Sequence, residues 1–289
     1  MTDKQNLEKQ DYVLEYWHKD FTFGYKNDKL IKEEKTEHFH ISLFENNFFG
    51  KVMMLDGATQ LSEKEIHVYH EMLIHTPVFA HGNISEVLII GGGDGGAARE
   101  VLRHDHINVT QVEIDRSVVD FSIKHIPEIS DGAYESDRMN LIIKDGVKFV
   151  KETDKEFDLI IIDSTDPVGP AKALFEFEFF EACKKRLKEG GIFVNQCGLP
   201  YLQPEELTDV SKSLSKLYSS SSTFLVSVPC YVIGQMAFGW GTDHEDTLNV
   251  DIEILEKRYS QSGVKTKYYN PEVHKAAFAL PNEIKALLN

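Results

Sequence analysis

The spacing of apolar positions divides the chain into two stretches of different periodicity. From about Asp11 to Leu61, short segments rich in aromatic and β-branched residues alternate with turn signals: His40-Ile-Ser-Leu-Phe44, then Asn46-Asn47, then Gly50-Lys-Val-Met-Met-Leu55 and Asp56-Gly57. Strands punctuated in this way predict a small antiparallel β-domain. Between Glu63 and Phe79, the residues Ile66, Tyr69, His70, Leu73 and Ile74 recur at helical spacing, which predicts a helix ending near Pro77. From Glu86 onward the pattern becomes one of short, wholly apolar runs separated by helical stretches. The runs are Val87-Leu-Ile-Ile90, Val109-Thr-Gln-Val112, Leu141-Ile-Ile143, Leu159-Ile-Ile-Ile162 and Ile192-Phe-Val194. Such runs suit strands buried on both faces of a parallel sheet with right-handed helical crossovers, so this part is expected to be a doubly wound α/β domain. A Ser-rich stretch over 211–222 is expected to be solvated helix or loop. The division predicted is an N-terminal β-domain over 1–62 and a catalytic α/β domain over 63–289.

In 289 residues with a 42% hydrophobic fraction there is material for a full core. The formal net charge of −16 repels phosphate backbones and anionic lipid, which argues against nucleic-acid and membrane-surface partners. No apolar run approaches a membrane span, and the first residues are polar and charged. Cys183, Cys197 and Cys230 are odd in number, widely spaced and without CxxC spacing, as expected of buried thiols in a reducing, cytoplasmic compartment.

In a doubly wound sheet, ligands bind where the strands end, near the point at which strand order reverses. The residues following each apolar run are therefore the candidate site. After the first run, Gly91-Gly-Gly-Asp94-Gly-Gly96 satisfies GxGxxG between a strand and a helix. A dinucleotide loop would meet a pyrophosphate there, but Asp94 sets a carboxylate in that anion site, which favours a ligand without phosphate. Glu113 ends the second run nineteen positions beyond Asp94, near the spacing at which an acid meets a ribose. Asp145-Gly146 follows the third run, where an acid could accept from an adenine amino group or simply make a turn. After the fourth run, Asp163-Ser-Thr-Asp166-Pro-Val-Gly-Pro170 presents two carboxylates on a proline-stiffened loop. Crowded carboxylates favour a bound cation, either a metal or an organic amine. The histidine pairs His38/His40 and His104/His106 lie elsewhere in the chain, so no metal site is expected and a polycation beside adenosine fits better.

These motifs resemble those of the spermidine synthase family, and the resemblance runs through most of the chain. Carrying it are Leu55-Asp-Gly-Ala-Thr-Gln60, Tyr69-His-Glu-Met72, the glycine loop at 91–96, Val112-Glu-Ile-Asp115, Asp145-Gly146, Asp163-Ser-Thr-Asp-Pro-Val-Gly-Pro170 and Tyr268-Tyr-Asn-Pro271. The resemblance implies a Rossmann-like domain of the class I methyltransferase type behind the β-domain. It implies an enzyme that transfers the aminopropyl group of decarboxylated S-adenosylmethionine, a co-substrate, to putrescine, with no other cofactor. By resemblance, Glu113 holds the ribose, and Asp145, Gly146 and Pro170 line the nucleoside site. Asp94 binds the donor's amine and His70 touches the polyamine. Asp163 accepts the proton, Asp166 anchors the diamine, and Tyr69, Gln196 and Tyr231 complete its channel, with Trp17 and Trp240 as walls. The chain departs from the family at Phe39, where many members have a Gln that contacts the nucleoside. Family members also suggest a homodimer or homotetramer. An S-adenosylmethionine methyltransferase and a non-catalytic polyamine-binding protein are the alternative readings.

Overall fold

The computed structural model describes residues 12–288. The chain forms two compact units that divide between Ile66 and His67. In the first, β1 (Tyr12–His18) and β2 (Phe21–Lys26) pair as an antiparallel hairpin. A four-stranded antiparallel meander follows, built from β3 (Lys29–Lys35), β4 (His40–Asn46), β5 (Gly50–Leu55) and β6 (Ala58–Ser62). Its core gathers Tyr25, Phe44, Val52 and Met54, with Val13, Phe23 and Phe49 packed against them. Phe39 stands just before β4, where it closes a turn with Thr36: the Thr36 N–H donates to the Phe39 carbonyl, and Thr36 Oγ1 accepts from the Phe39 N–H.

The second unit opens with α1 (His67–His81), every residue of which from Val68 to Ala80 is buried. A helix buried nearly all round lies inside the unit, and its polar side chains His70, Glu71 and His75 are therefore buried with it. Pro77 does not end it: the helix runs four residues further, at the cost of one ladder hydrogen bond. The sheet then has seven strands: β7 (Glu86–Gly91), β8 (Asn108–Glu113), β9 (Met139–Ile143), β10 (Phe157–Asp163), β11 (Leu187–Gln196), β12 (Ser220–Val226) and β13 (Met236–Thr242), in the spatial order β12-β13-β11-β10-β7-β8-β9. The five strands expected from the apolar runs are all present and mutually parallel. Around them lie α2 (Gly96–Leu102), α3 (Arg116–His125), α4 (Pro127–Ser130), α5 (Gly146–Glu152), α6 (Phe177–Lys184), α7 (Pro204–Leu217), α8 (Ile252–Ser262), α9 (Pro271–Ala277) and α10 (Asn282–Leu288). The whole is Rossmann-like and doubly wound.

One expectation is corrected. The Ser-rich stretch is not wholly helix or loop: its first half belongs to α7, and Ser220–Ser222 begin the edge strand β12. The serines sit at the half-exposed end of that strand, and Thr223, Phe224, Leu225 and Val226 supply its buried part. Antiparallel pairing with β13, the next strand along the chain, stabilises as strand a segment whose own propensity is low.

Candidate active site

Strand order reverses between β7 and β10, because β8 and β9 continue to one side of β7 while β10 and β11 lie on the other. The last residues of these two strands, Gly91 and Asp163, face each other directly. The Gly92 N–H donates to the Asp163 carbonyl at 2.8 Å, which ties the glycine loop to the acidic loop. Only glycine suits position 91: φ is +88°, and a Cβ would stand 2.2 Å from the Asp163 carbonyl oxygen, a backbone atom that cannot swing away. The Gln111 side chain, in β8, donates to the Gly91 and Gly92 carbonyls at 2.8 and 2.6 Å.

Asp94 lies in this loop, one turn before α2. Its Oδ1 accepts from the Gly96 N–H at 2.6 Å and lies 3.6 Å from His70 Nε2. Burial raises the Asp94 pKa, but His70, the Gly96 N–H and Arg99 outweigh it and hold the carboxyl below its usual range. His70 comes from α1 and is buried. Its ring lies so close over the start of α2 that a Cβ on Gly96 would be 2.1 Å from Cε1.

Asp163 completes the acidic centre. Tyr69, the residue before His70 on α1, donates its phenol to Asp163 Oδ1 at 2.7 Å. Oδ2 is buried and has no hydrogen-bond partner. Burial and repulsion from Asp94 push Asp163 up to about 6. Burial, reinforced by Asp163, pushes the Tyr69 phenol well up, so it remains a proton donor in that bond. The Tyr69 ring packs edge-on against Tyr231 and tilted against Phe238 of β13.

Glu113 ends β8 and is buried. Its Oε1 accepts from the Asp115 N–H at 3.0 Å, while Oε2 points at the glycine loop, 3.0 Å from where a Cβ on Gly93 would stand. Burial raises it to about 7. Tyr134 donates to the Gly93 carbonyl at 3.0 Å, and burial with the nearby Asp94 pushes its phenol far up. Asp145 caps α5, its Oδ1 accepting from the Val147 and Lys148 N–H groups. Gly146 allows α5 to approach β7, since a Cβ there would meet Ile90 at 2.5 Å.

The loop after β10 carries Asp166, whose pKa burial raises against a hydrogen bond from Gln203. Pro170 opens a 3-10 turn over Gly169–Phe175 and is exposed. Gln196, at the end of β11, has both ends of its amide engaged with backbone: Nε2 donates to the Thr165 carbonyl at 3.2 Å and Oε1 accepts from the Gly198 N–H at 2.8 Å. It thereby holds the acidic loop against β11. Trp240 is fully buried and packs edge-on against Phe224 and Phe278, so it serves the core. Of the histidine pairs, His104 bonds His75, whose other ring nitrogen bonds Glu100, in a buried polar network between α1 and α2. Among the described residues no group of three or more His, Cys, Asp or Glu side chains is arranged as a metal site, and no helix is long and apolar enough to cross a membrane.

Gln111, Tyr134, Gln203 and Glu206 also bear on the site and carry no signal of their own in the sequence. They are isolated polar residues in no motif, and only the tertiary structure brings them to the strand ends.

The second unit is thus a Rossmann-like sheet of the class I methyltransferase type with acids gathered at its switch point. Two family models match: "Spermidine synthase tetramerisation domain" over residues 12–63 and "Spermine/spermidine synthase domain" over 66–252. The chain is 45% identical over 282 residues to the polyamine aminopropyltransferase of Ruegeria sp., covering 97% of this chain and 99% of that one. Against the polyamine aminopropyltransferase of Escherichia fergusonii it is 44% identical over 272 residues, covering 94% of each. Among solved structures, a spermidine synthase in complex with the transition-state analogue AdoDATO superposes with a TM-score of 0.92 at 34% identity, covering 100% of this chain and 98% of that one. Spermidine synthase from Thermotoga maritima superposes with a TM-score of 0.88 at 32% identity, covering 100% and 97%. The chain belongs to the spermine/spermidine synthase family and is an aminopropyltransferase enzyme.

Proposed function

We propose that the enzyme transfers the aminopropyl group of decarboxylated S-adenosylmethionine to putrescine, giving spermidine and methylthioadenosine. The observation that carries this reading is the partly buried pair Asp94 and Asp163. Two carboxylates share one site, and one oxygen of Asp163 is buried without a partner. Such a pocket is stabilised by cationic groups and would repel the carboxylate of intact S-adenosylmethionine.

In this reading Glu113 accepts from the ribose, Asp145 and Gly146 border the adenine, Pro170 lies beside the nucleoside and Asp94 holds the donor's primary ammonium. The neutral acceptor nitrogen attacks the propyl carbon next to the sulfonium. A C–N bond forms while the C–S bond breaks, and its electron pair leaves on sulfur as a neutral thioether. The nitrogen then carries one proton too many, and Asp163 accepts it. Tyr69 holds Asp163 by Oδ1 and so leaves Oδ2 for that proton. A carboxylate raised to about 6 is a better base than an ordinary aspartate. Tyr231 and Asp166 border the acceptor, His70 orients Asp94, and Gln196 acts through the loop it holds. Most of the acceleration comes from alignment of two cations that repel each other in water, an effect worth up to about 7–11 kcal/mol.

The match to a tetramerisation-domain model supports a homo-oligomeric assembly, and three buried free cysteines suit a cytoplasmic enzyme. The test is mass-spectrometric detection of methylthioadenosine with the decarboxylated donor and putrescine. Wild type is expected to release it, and Asp163→Asn to do so about 100-fold or more slowly. Near-normal turnover by Asp163→Asn at saturating substrates would remove Asp163 as the base. Turnover only with intact S-adenosylmethionine would replace aminopropyl transfer by methyl transfer.

A further inference from the structure

A second pair of carboxylates adjoins the first. Asp166 stands three positions beyond Asp163 on the same loop, and Glu206 lies in the first turn of α7. Gln203 stands between them. Its side chain lies close enough to Asp166 to lower that acid's pKa, and its Nε2 donates to Glu206 Oε2 at 3.2 Å. The amide oxygen is taken, accepting from the Leu199 N–H at 2.9 Å. One side-chain NH2 therefore faces two acids, and Glu206 Oε1 is left buried with no hydrogen-bond partner.

The facing backbone leaves that oxygen open. Gly198 has φ +67° and no side chain, and a Cβ there would stand 3.1 Å from Glu206 Oε1 and 2.6 Å from Gln203 Oε1. Burial and repulsion from Asp166 push Glu206 up to about 8, and Cys197, a buried thiol that feels the Glu206 charge, adds no cation. A buried acid arranged in this way destabilises the free protein, and a ligand ammonium with three N–H donors relieves it.

We propose that Glu206, with Asp166 and Gln203, receives the ammonium at the far end of the acceptor and sets the preference for diamines over monoamines. This rests on the amine-acceptor reading of the same site, in which Asp163 serves the reacting nitrogen. Glu206 needs the far ammonium as its counter-charge, so a monoamine leaves it protonated, whereas a diamine draws it into the ionised state and displaces its proton.

Glu206→Gln keeps the shape and removes the charge. Two measurements are made on the full-length enzyme: steady-state kinetics with putrescine and with 1-butylamine, and calorimetric binding of each amine to the methylthioadenosine complex in buffers of different ionisation enthalpy. For Glu206→Gln, the putrescine KM is expected to rise about tenfold or more, and the putrescine-to-butylamine ratio of kcat/KM to fall by a similar factor. Proton release on putrescine binding near pH 7 should shrink in the variant, and butylamine should show no such difference. An unchanged ratio together with unchanged proton release overturns the proposal, as does an equal loss for both amines, which marks a structural role. Wild type that transfers aminopropyl groups while Glu206→Gln behaves as wild type sinks this proposal alone. Wild type that transfers none sinks the reading on which it rests.

Discussion

Replacement of Asp163 by Asn should stabilise the free enzyme while abolishing most of its activity. In the fold the Asp163 pKa rises from 3.8 to about 6, first from burial and then from Asp94. That rise corresponds to ~3 kcal/mol of disfavoured charge. The folded-state value lies above the unfolded one, so the associated stability is fully present below about pH 4 and lost as pH rises through about 6. Asn cannot ionise and escapes this loss, and its carbonyl can still accept from Tyr69. Its amide would stand where Oδ2 now has no partner, at a cost of ~1 kcal/mol. A net gain of ~2 kcal/mol at about pH 8 is therefore expected from urea unfolding of the ligand-free proteins, with no gain left near pH 4. A variant less stable than wild type at about pH 8, or a gap independent of pH, would refute the electrostatic account of the site.

The pH dependence of turnover should follow the same groups. kcat/KM for the donor, which reports free enzyme, should fall as pH drops through about 7 and about 6, where Glu113 and Asp163 take up protons. kcat should persist to lower pH, because a bound cation favours ionised Asp163; coincident limbs in the two profiles would contradict this. Gly96→Ala puts a Cβ against the buried His70 ring and should raise the donor KM about tenfold and cost ~1–3 kcal/mol of stability, and an unchanged KM would detach His70 from donor binding. Glu71, buried on α1, accepts from the Lys267, Tyr268 and Tyr269 N–H groups at 2.7–3.1 Å. Glu71→Gln turns part of that acceptor into a donor facing donors, so a loss of ~2–4 kcal/mol is expected in denaturant melts, and a loss under ~0.5 kcal/mol would show that the segment holds itself.

The sequence by itself determined the parallel core and the kind of ligand site at its edge. Leu88, Ile89 and Ile90 in β7, and Ile160, Ile161 and Ile162 in β10, are almost completely buried, and runs that apolar have few other stable places. Local chemistry also placed Asp94, Glu113, Asp145 and Asp163 at strand ends: Glu113 and Asp163 follow their apolar runs directly, and Asp145 and Asp94 lie two and four residues beyond theirs. Tertiary structure decided what depends on partners outside the local stretch of chain. Pairing with β13 made a strand of the second half of the serine stretch, and packing kept α1 helical past Pro77. It spent both ends of the Gln196 amide on backbone, committed Trp240 to an aromatic cluster, and brought Glu206 from α7 beside Asp166. The physical reason is the range of the forces involved. Periodicity and turn chemistry act over a few residues, whereas desolvation, Coulomb repulsion and hydrogen-bond competition are set by whichever groups the fold brings within a few ångströms.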